Sequence, residues 1–231
     1  EVTGSCHILT IGGRTLLLDC GLIQGGDDPD TRNRQPFPFD ATAIDAVILS
    51  HAHIDHCGRL PLLRKRGFRG PIHATSACRD LVRILLADSA YMAEREAERY
   101  RRKQAEHGNH HARGFPEPLF TRVDADETLK QFKTVAYGRA TEVLPGVTLT
   151  FRDAGHILGS AIVELWVDTD GEQKKIVFSG DLGNAATPLL RDPEVVRNAD
   201  VLLLESTYGD RDHRPLPETL KEFADILAQA E

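Results

Sequence analysis

The chain of 231 residues is 41% apolar and 27% charged, length for one sizeable core or two small ones. No apolar run approaches the ~18 residues of a membrane helix, which excludes a helical span, and 19 Gly with 12 Pro do not make a low-complexity polymer. With 28 basic against 35 acidic residues and a formal charge of −7, the whole surface is not a basic nucleic-acid coat, although a local basic face is compatible with that total. The four cysteines, Cys6, Cys20, Cys57 and Cys78, form no CxxC pair. They indicate neither a zinc ribbon nor a disulfide framework, and reduced thiols in a cytoplasmic protein are expected. The chain opens on Glu1 without a leader segment and stops at Glu231 within an amphipathic pattern, so both ends are expected to be cut.

Ser5–Ile11 and Thr15–Asp19 are apolar runs joined by Gly12-Gly13-Arg14, which predicts a hairpin. Residues 20–40 are rich in Gly, Asp and Pro and predict a long loop. A short strand over Ala46–Ser50 runs directly into His51-Ala-His53-Ile-Asp55-His56, which is predicted to be a loop at the strand's end and not a helix. A short helix around Leu60–Arg66, closed by Gly67, and a strand near Pro71–Ala74 follow. Ser76 to about His107 is predicted to be one long helix. Its second half alternates in sign and reads as a solvated, ion-paired face, with an RNA-backbone contact through Arg99, Arg101, Arg102 and Lys103 as the sharper alternative. After a polar stretch (107–130), strands are predicted over Val147–Arg152, Ala161–Val167, Lys174–Ser179 and Val201–Leu204, with a turn at Asp168-Thr169-Asp170-Gly171. Pro217 suits a helix start, and Leu216, Leu220, Phe223 and Leu227 recur at helical spacing. Strands leading into helices predict a layered α/β sandwich.

The segment 51–56 places four metal-capable side chains within six residues. Neutral imidazole and carboxylate are the ligands zinc accepts when no thiolate is at hand. His51 and His53 suit one ion, and Asp55 with His56 can turn towards a second, about 3.5–4 Å away in two-metal sites. His156, in the Gly-flanked segment Asp153-Ala-Gly155-His156-Ile-Leu-Gly159-Ser160, and Asp181, in Ser179-Gly180-Asp181, add two further strand-end signals.

This succession of His-x-His-x-Asp-His, a single His and a strand-end Gly-Asp is similar to the metallo-β-lactamase superfamily. The resemblance implies an αββα sandwich with metals in the cleft at the sheet edges. It implies that His51, His53 and His156 bind one Zn²⁺, that Asp55 and His56 bind another, that Asp181 bridges them, and that Asp19 orients ligands from behind. The strings Glu1-Val-Thr-Gly-Ser-Cys-His7, Asp88-Ser-Ala90 (expected to follow the long helix) and Leu204-Glu205-Ser-Thr-Tyr-Gly-Asp-Arg211 resemble the β-CASP nucleases, most closely the branch of the pre-mRNA 3′-end endonuclease and its prokaryotic relatives. That implies a metallo-β-lactamase domain over 1–207, the start of the β-CASP insert over 208–231, and Glu205 as a catalytic carboxylate beside Asp55 and Asp181. Most of the cap domain, one zinc ligand and the proton donor to the leaving oxygen are expected outside these residues, so the piece alone is expected to bind metal but cleave RNA poorly.

The implied activity is ribonuclease: two zinc ions, a bridging hydroxide, and single-stranded RNA as substrate. Partner expectations are RNA, no membrane, and a homodimer. Two alternatives stand beside it, a small-ester or thioester metallo-hydrolase of the same fold and a non-catalytic RNA-processing scaffold. Among the remaining residues, Cys57 reads as a buried thiol, His7 and His73 as structural strand residues, Trp166 as core, and His107, His110 and His111 as solvated; His213 is read equally as cleft-lining or as a helix start.

Overall fold

In the computed structural model, which describes residues 3–107, 115–169, 171–211 and 214–230, Gly12 and Gly13 stand at φ 53° and 77° between β1 (His7–Ile11) and β2 (Arg14–Leu18). Two consecutive positive φ angles are what a tight hairpin turn asks for. Beyond β2 the sheet continues in parallel through β3 (Ala46–Ile48), β4 (Ile72–Ala74) and β5 (Phe132–Thr134), in the order β1-β2-β3-β4-β5. A central parallel strand is buried on both faces and therefore reads as an unbroken apolar run. In β3 and the residue after it, Ala46 and Ile48 face one core, Val47 and Leu49 the other.

The second sheet contains β6 (Thr141–Leu144), β7 (Val147–Asp153), β8 (Ala161–Thr169), β9 (Glu172–Phe178) and β10 (Val201–Leu203), ordered β10-β9-β8-β7-β6. Only the β9–β10 pair in it is parallel. Leu149, Phe151, Val163, Leu165 and Phe178 on its inner face pack against Leu16, Leu18 and Ile48 of the first sheet. On the other side of the first sheet, Leu17, Val47, Leu49 and Ile72 meet the helices α3 (Leu60–Lys65), α4 (Ser76–His107) and α5 (Arg122–Leu129) through Leu60, Leu63, Val82, Leu86, Ala90 and Ala125. The layers are helix, sheet, sheet. Among the described residues the outer face of the second sheet is covered by coil, Leu182 and Val196 lying on Ala154, Ile162 and Val177. The last helix, α6 (Leu216–Ala230), leaves Leu220, Phe223, Ile226 and Leu227 exposed.

Several local expectations change. The loop over 20–40 contains a helical turn, Pro29–Arg34 (α1), started by Asp28, whose carboxylate accepts from Thr31 N–H, and by Pro29 at the first position. The polar stretch before 130 contains α5, whose capping box pairs Thr121 with Asp124. Asp55 and His56 lie in one helical turn, Ile54–Cys57 (α2), not in a loop, because the chain must coil at once to keep both against the strand end. Asp88-Ser89-Ala90 sits within α4, where Ala90 is buried, not beyond it. Residues His110, His111, Asp170, Asp212 and His213 lie outside the described residues.

The outer face of the second sheet holds a buried ion network. Glu164, 4% exposed, pairs with Lys175 Nζ at 2.5 Å and Arg152 Nε at 2.7 Å, and Lys175 also donates to Arg197 O. Burial alone would raise the Glu164 carboxyl, but hydrogen bonds from Lys175 and Arg152 outweigh it and hold the group below its ordinary value. A carboxylate lowered on folding stabilises fully above the unfolded-chain pKa and loses that contribution as pH falls through the folded value. Glu164→Gln strands the Lys175 ammonium and is expected to cost about 3–5 kcal/mol in urea unfolding. Glu164→Leu with Lys175→Met together should recover most of that and unfold with less acid sensitivity below about pH 4.5.

Candidate metal centre

The site is built where strands stop. β2 ends on Asp19, fully buried with φ 60°, a left-handed conformation that a non-glycine residue adopts only when its surroundings hold it there. Its carboxylate accepts from Ser50 N–H (2.8 Å), Ser50 Oγ (2.9 Å) and Ser5 Oγ (3.1 Å), and bonds His56 Nδ1 at 2.7 Å. Because Ser50 gives its only hydrogen to Asp19, it can only accept at its 3.0 Å contact with His51 Nδ1. His51 therefore carries its proton on Nδ1 and turns a bare Nε2 lone pair into the cleft. The same contact could be mistaken for a nucleophile and base. Ser50 is buried, with its hydrogen already committed, so no Ser–His hydrolytic pair exists here.

Glycines let the loops touch. A Cβ on Gly21 would stand 1.5 Å from Asp55 O, and one on Gly183 would stand 1.7 Å from Gly155 O. Gly155 and Gly159 take positive φ around His156, whose N–H donates to Ser160 Oγ. Asp181 follows β9 through Gly180, and Glu205, just after β10, accepts from Leu182 N–H at 2.6 Å and from Thr207 Oγ1.

Three imidazole nitrogens converge. His51 Nε2 and His156 Nε2 each lie 3.1 Å from His53 Nδ1, and Asp181 Oδ2 lies 3.6 Å from both Nε2 atoms. The four donor atoms fall within 4.8 Å of one another. A tetrahedron with zinc–nitrogen bonds of about 2.0–2.1 Å has edges of about 3.3 Å, so the spacing and the chemistry of this donor set fit a divalent ion. The other oxygen of Asp181, Oδ1, is 3.2 Å from His56 Nε2, with Asp55 Oδ2 3.8 Å from the same nitrogen. Asp181 thus faces both donor groups.

Position sets the protonation of these side chains. Burial first, then the neighbouring His56, drive His51 down to about 2. Burial also opposes charge on His56, but hydrogen bonds to Asp181 and Asp19 overcome it and raise that ring to about 10. Asp181 is lowered to about 2, its burial outweighed by His56. His156 is lowered, chiefly by burial.

A family model described as a beta-lactamase superfamily domain matches residues 14–230. The chain belongs to the β-lactamase superfamily. Among curated members it is 42% identical to ribonuclease TTHA0252 of Thermus thermophilus over 227 residues, 98% of this chain and 46% of that protein. It is 36% identical to transcription termination factor FttA of Methanothermobacter thermautotrophicus, covering 90% of this chain and 30% of that protein. The chain therefore spans less than half the length of these relatives. A metallo-β-lactamase of Cronobacter sakazakii with a HARLDQ motif aligns at a TM-score of 0.44 and 22% identity, over 81% of this chain and 56% of that one.

All six expected ligand positions of this superfamily member, His51, His53, Asp55, His56, His156 and Asp181, lie in one cleft, and Glu205 shares a cavity of ≈ 310 Å³ with Asp55, His56 and Asp181. Cys57 is a buried thiol donating to Ala52 O. Trp166 is half-buried under Lys175 on the outer sheet face. His73 is buried, and its ring nitrogens are without hydrogen-bond partners among the described residues, as its strand position suggested. His7 differs: it is exposed and lines the metal cavity, which nothing in its local sequence distinguishes from a structural strand residue. The Asp19 hub makes its own prediction. Asp19→Asn, whose single oxygen cannot accept from Ser50 N–H and face His56 Nδ1 at the same time, should weaken divalent-metal binding about 10–100-fold in a chelator-competition titration while the fold persists by circular dichroism.

Proposed function

We propose that this chain is the metal-binding part of a ribonuclease of the β-CASP branch, hydrolysing phosphodiester bonds of single-stranded RNA at a dinuclear zinc site. The observation that carries this reading is the Asp181 carboxylate set between two donor groups, one oxygen towards His51 and His156 and the other towards His56. His51, His53, His156 and Asp181 would hold one ion, and Asp55, His56 and Asp181 the second. When bound, such ions act as Lewis acids towards a phosphoryl oxygen and lower the pKa of water. Asp181 ties the two groups together, and Asp55, partly exposed at the cavity wall, is placed to accept a proton from attacking water. Glu205, which accepts from Leu182 N–H and Thr207 Oγ1, holds the loop that carries Asp181 and, with a second lone pair on each oxygen, is the further catalytic carboxylate of this reading. The 42% identity to a protein named as a ribonuclease supports RNA as the substrate class.

The second group has three protein donors among the described residues, and we place its remaining ligand, with the proton donor to the leaving oxygen, in the rest of a longer protein. The boundary is proposed at 207/208, after the Glu205–Thr207 contact and before the exposed α6. The cysteines are free thiols, which suits the cytoplasm, and among the described residues no helix is long and apolar enough to cross a membrane.

The full-length protein should contain about two zinc ions per chain by elemental analysis and cleave single-stranded RNA, losing activity to a chelator and regaining it with zinc. His51→Ala and Asp181→Asn should each lower cleavage by about 10³-fold or more, the several kcal/mol that metal assistance supplies. Retained cleavage in both variants would sink the site. Thioester hydrolysis without RNA cleavage would favour a small-ester enzyme, and absence of bound metal a scaffold. The isolated 231-residue chain should bind at least one ion and cleave poorly.

A further inference from the structure

The polar side chains of the metal cavity are nearly all committed. Ser5 Oγ donates to Asp19, and Thr207 Oγ1 donates to Glu205, which also accepts from Leu182 N–H. Asp55 and Asp181 both face His56. His7 lines the same cavity, exposed, and among the described residues its imidazole takes part in no hydrogen bond or ion pair. Its one aromatic contact is with Phe178, ring centroids 5.3 Å apart and planes tilted by 59°. The ring is carried by a rigid element: His7 pairs with Leu18 in the β1–β2 ladder, one residue before the Asp19 hub. Ser5, two residues before His7, lines the same cavity and reaches Asp19.

The charge of the cavity says what an uncommitted donor is for. Asp55, Asp181 and Glu205 all line it, and a chain bearing one negative charge per linkage is repelled by such a wall wherever no cation or N–H group meets it. The His51–His53–His156 group lies against Asp181, whose carboxylate lines the cavity; a phosphate beyond that group needs a donor of its own. We propose that His7 is an RNA-backbone contact, its ring N–H donating to a non-bridging oxygen of the phosphate adjacent to the one being cleaved. This rests on the ribonuclease reading above and adds to it a residue that selects a polynucleotide over an isolated diester.

The test compares the full-length protein with its His7→Ala and His7→Gln variants on a labelled single-stranded RNA of about ten nucleotides and on bis(4-nitrophenyl) phosphate, a diester without a neighbouring phosphate. His7→Ala is expected to raise KM for RNA about tenfold with kcat little changed, the signature of a hydrogen bond to a charged group made equally in ground and transition states. His7→Gln keeps an N–H donor and should return KM to within about threefold of the parent. Hydrolysis of the small diester, zinc content and circular dichroism should match the parent in both variants. An unchanged KM for RNA in His7→Ala overturns the proposal, and so does an equal loss on both substrates, which would put His7 at the reacting atoms. A parent that hydrolyses thioesters but neither phosphodiester overturns the ribonuclease reading and this proposal together, a failure visible before any variant is made.

Discussion

A single buried carboxylate organises this molecule. Asp19 has no access to water, and a charge in that position is tolerated only when its oxygens are filled with donors. The donors come from three elements: Ser5 before β1 and, some 45 residues later, Ser50 after β3 and His56 in α2. Holding these to one carboxylate fixes how the first hairpin, the central strand and the His-rich turn meet. The left-handed backbone of Asp19 is the local strain that goes with this placement. The consequence reaches the cleft through Ser50, whose committed hydrogen decides which nitrogen of His51 carries the proton and so leaves the inward Nε2 bare.

The second constraint is steric. The cleft forms where loops at the ends of β2, β3, β7 and β9 approach more closely than side chains would allow, and Gly21, Gly180 and Gly183 stand where a Cβ would strike Asp55, Ser50 or Gly155. Ala161 N–H donating to Ser50 O joins the two sheets beside the site. The apolar core between the sheets is continuous up to Phe178, two residues before Gly180, so the polar cluster rests on a packed base and not on mobile chain.

Residue type alone says little about what each imidazole does here. His51 and His56 are neighbours, with ring centroids 4.0 Å apart, yet one is held neutral among other imidazoles and the other is held protonated between Asp19 and Asp181. The donor set reads as a cation site because its ligand atoms converge within 4.8 Å of one another. His7 and His73, alike as histidines on strands, also differ by position: His73 is buried with no hydrogen-bond partner for its ring among the described residues, and His7 opens to the cavity.

Much of this was legible in the residues. The hairpin follows from Gly12-Gly13, the long α4 from its helical spacing, and the central strands from apolar runs, because each rests on short-range periodicity and turn chemistry. The six ligand types at strand ends could be named from their spacing and from a family resemblance. The short elements α1, α5, β5 and β6 were hidden, although Asp28-Pro29 and Thr121-x-x-Asp124 are local capping signals that mark two of them. What the amino-acid order determined by itself was which side chains could hold a cation and which strands would carry them. Only the tertiary structure decided that Asp181 faces two donor groups, that Glu205 clamps the loop beside it, and that His7 opens into the cleft. Those relations join residues as far apart in the chain as His7 and Glu205, and no local pattern encodes a distance set by how two sheets pack.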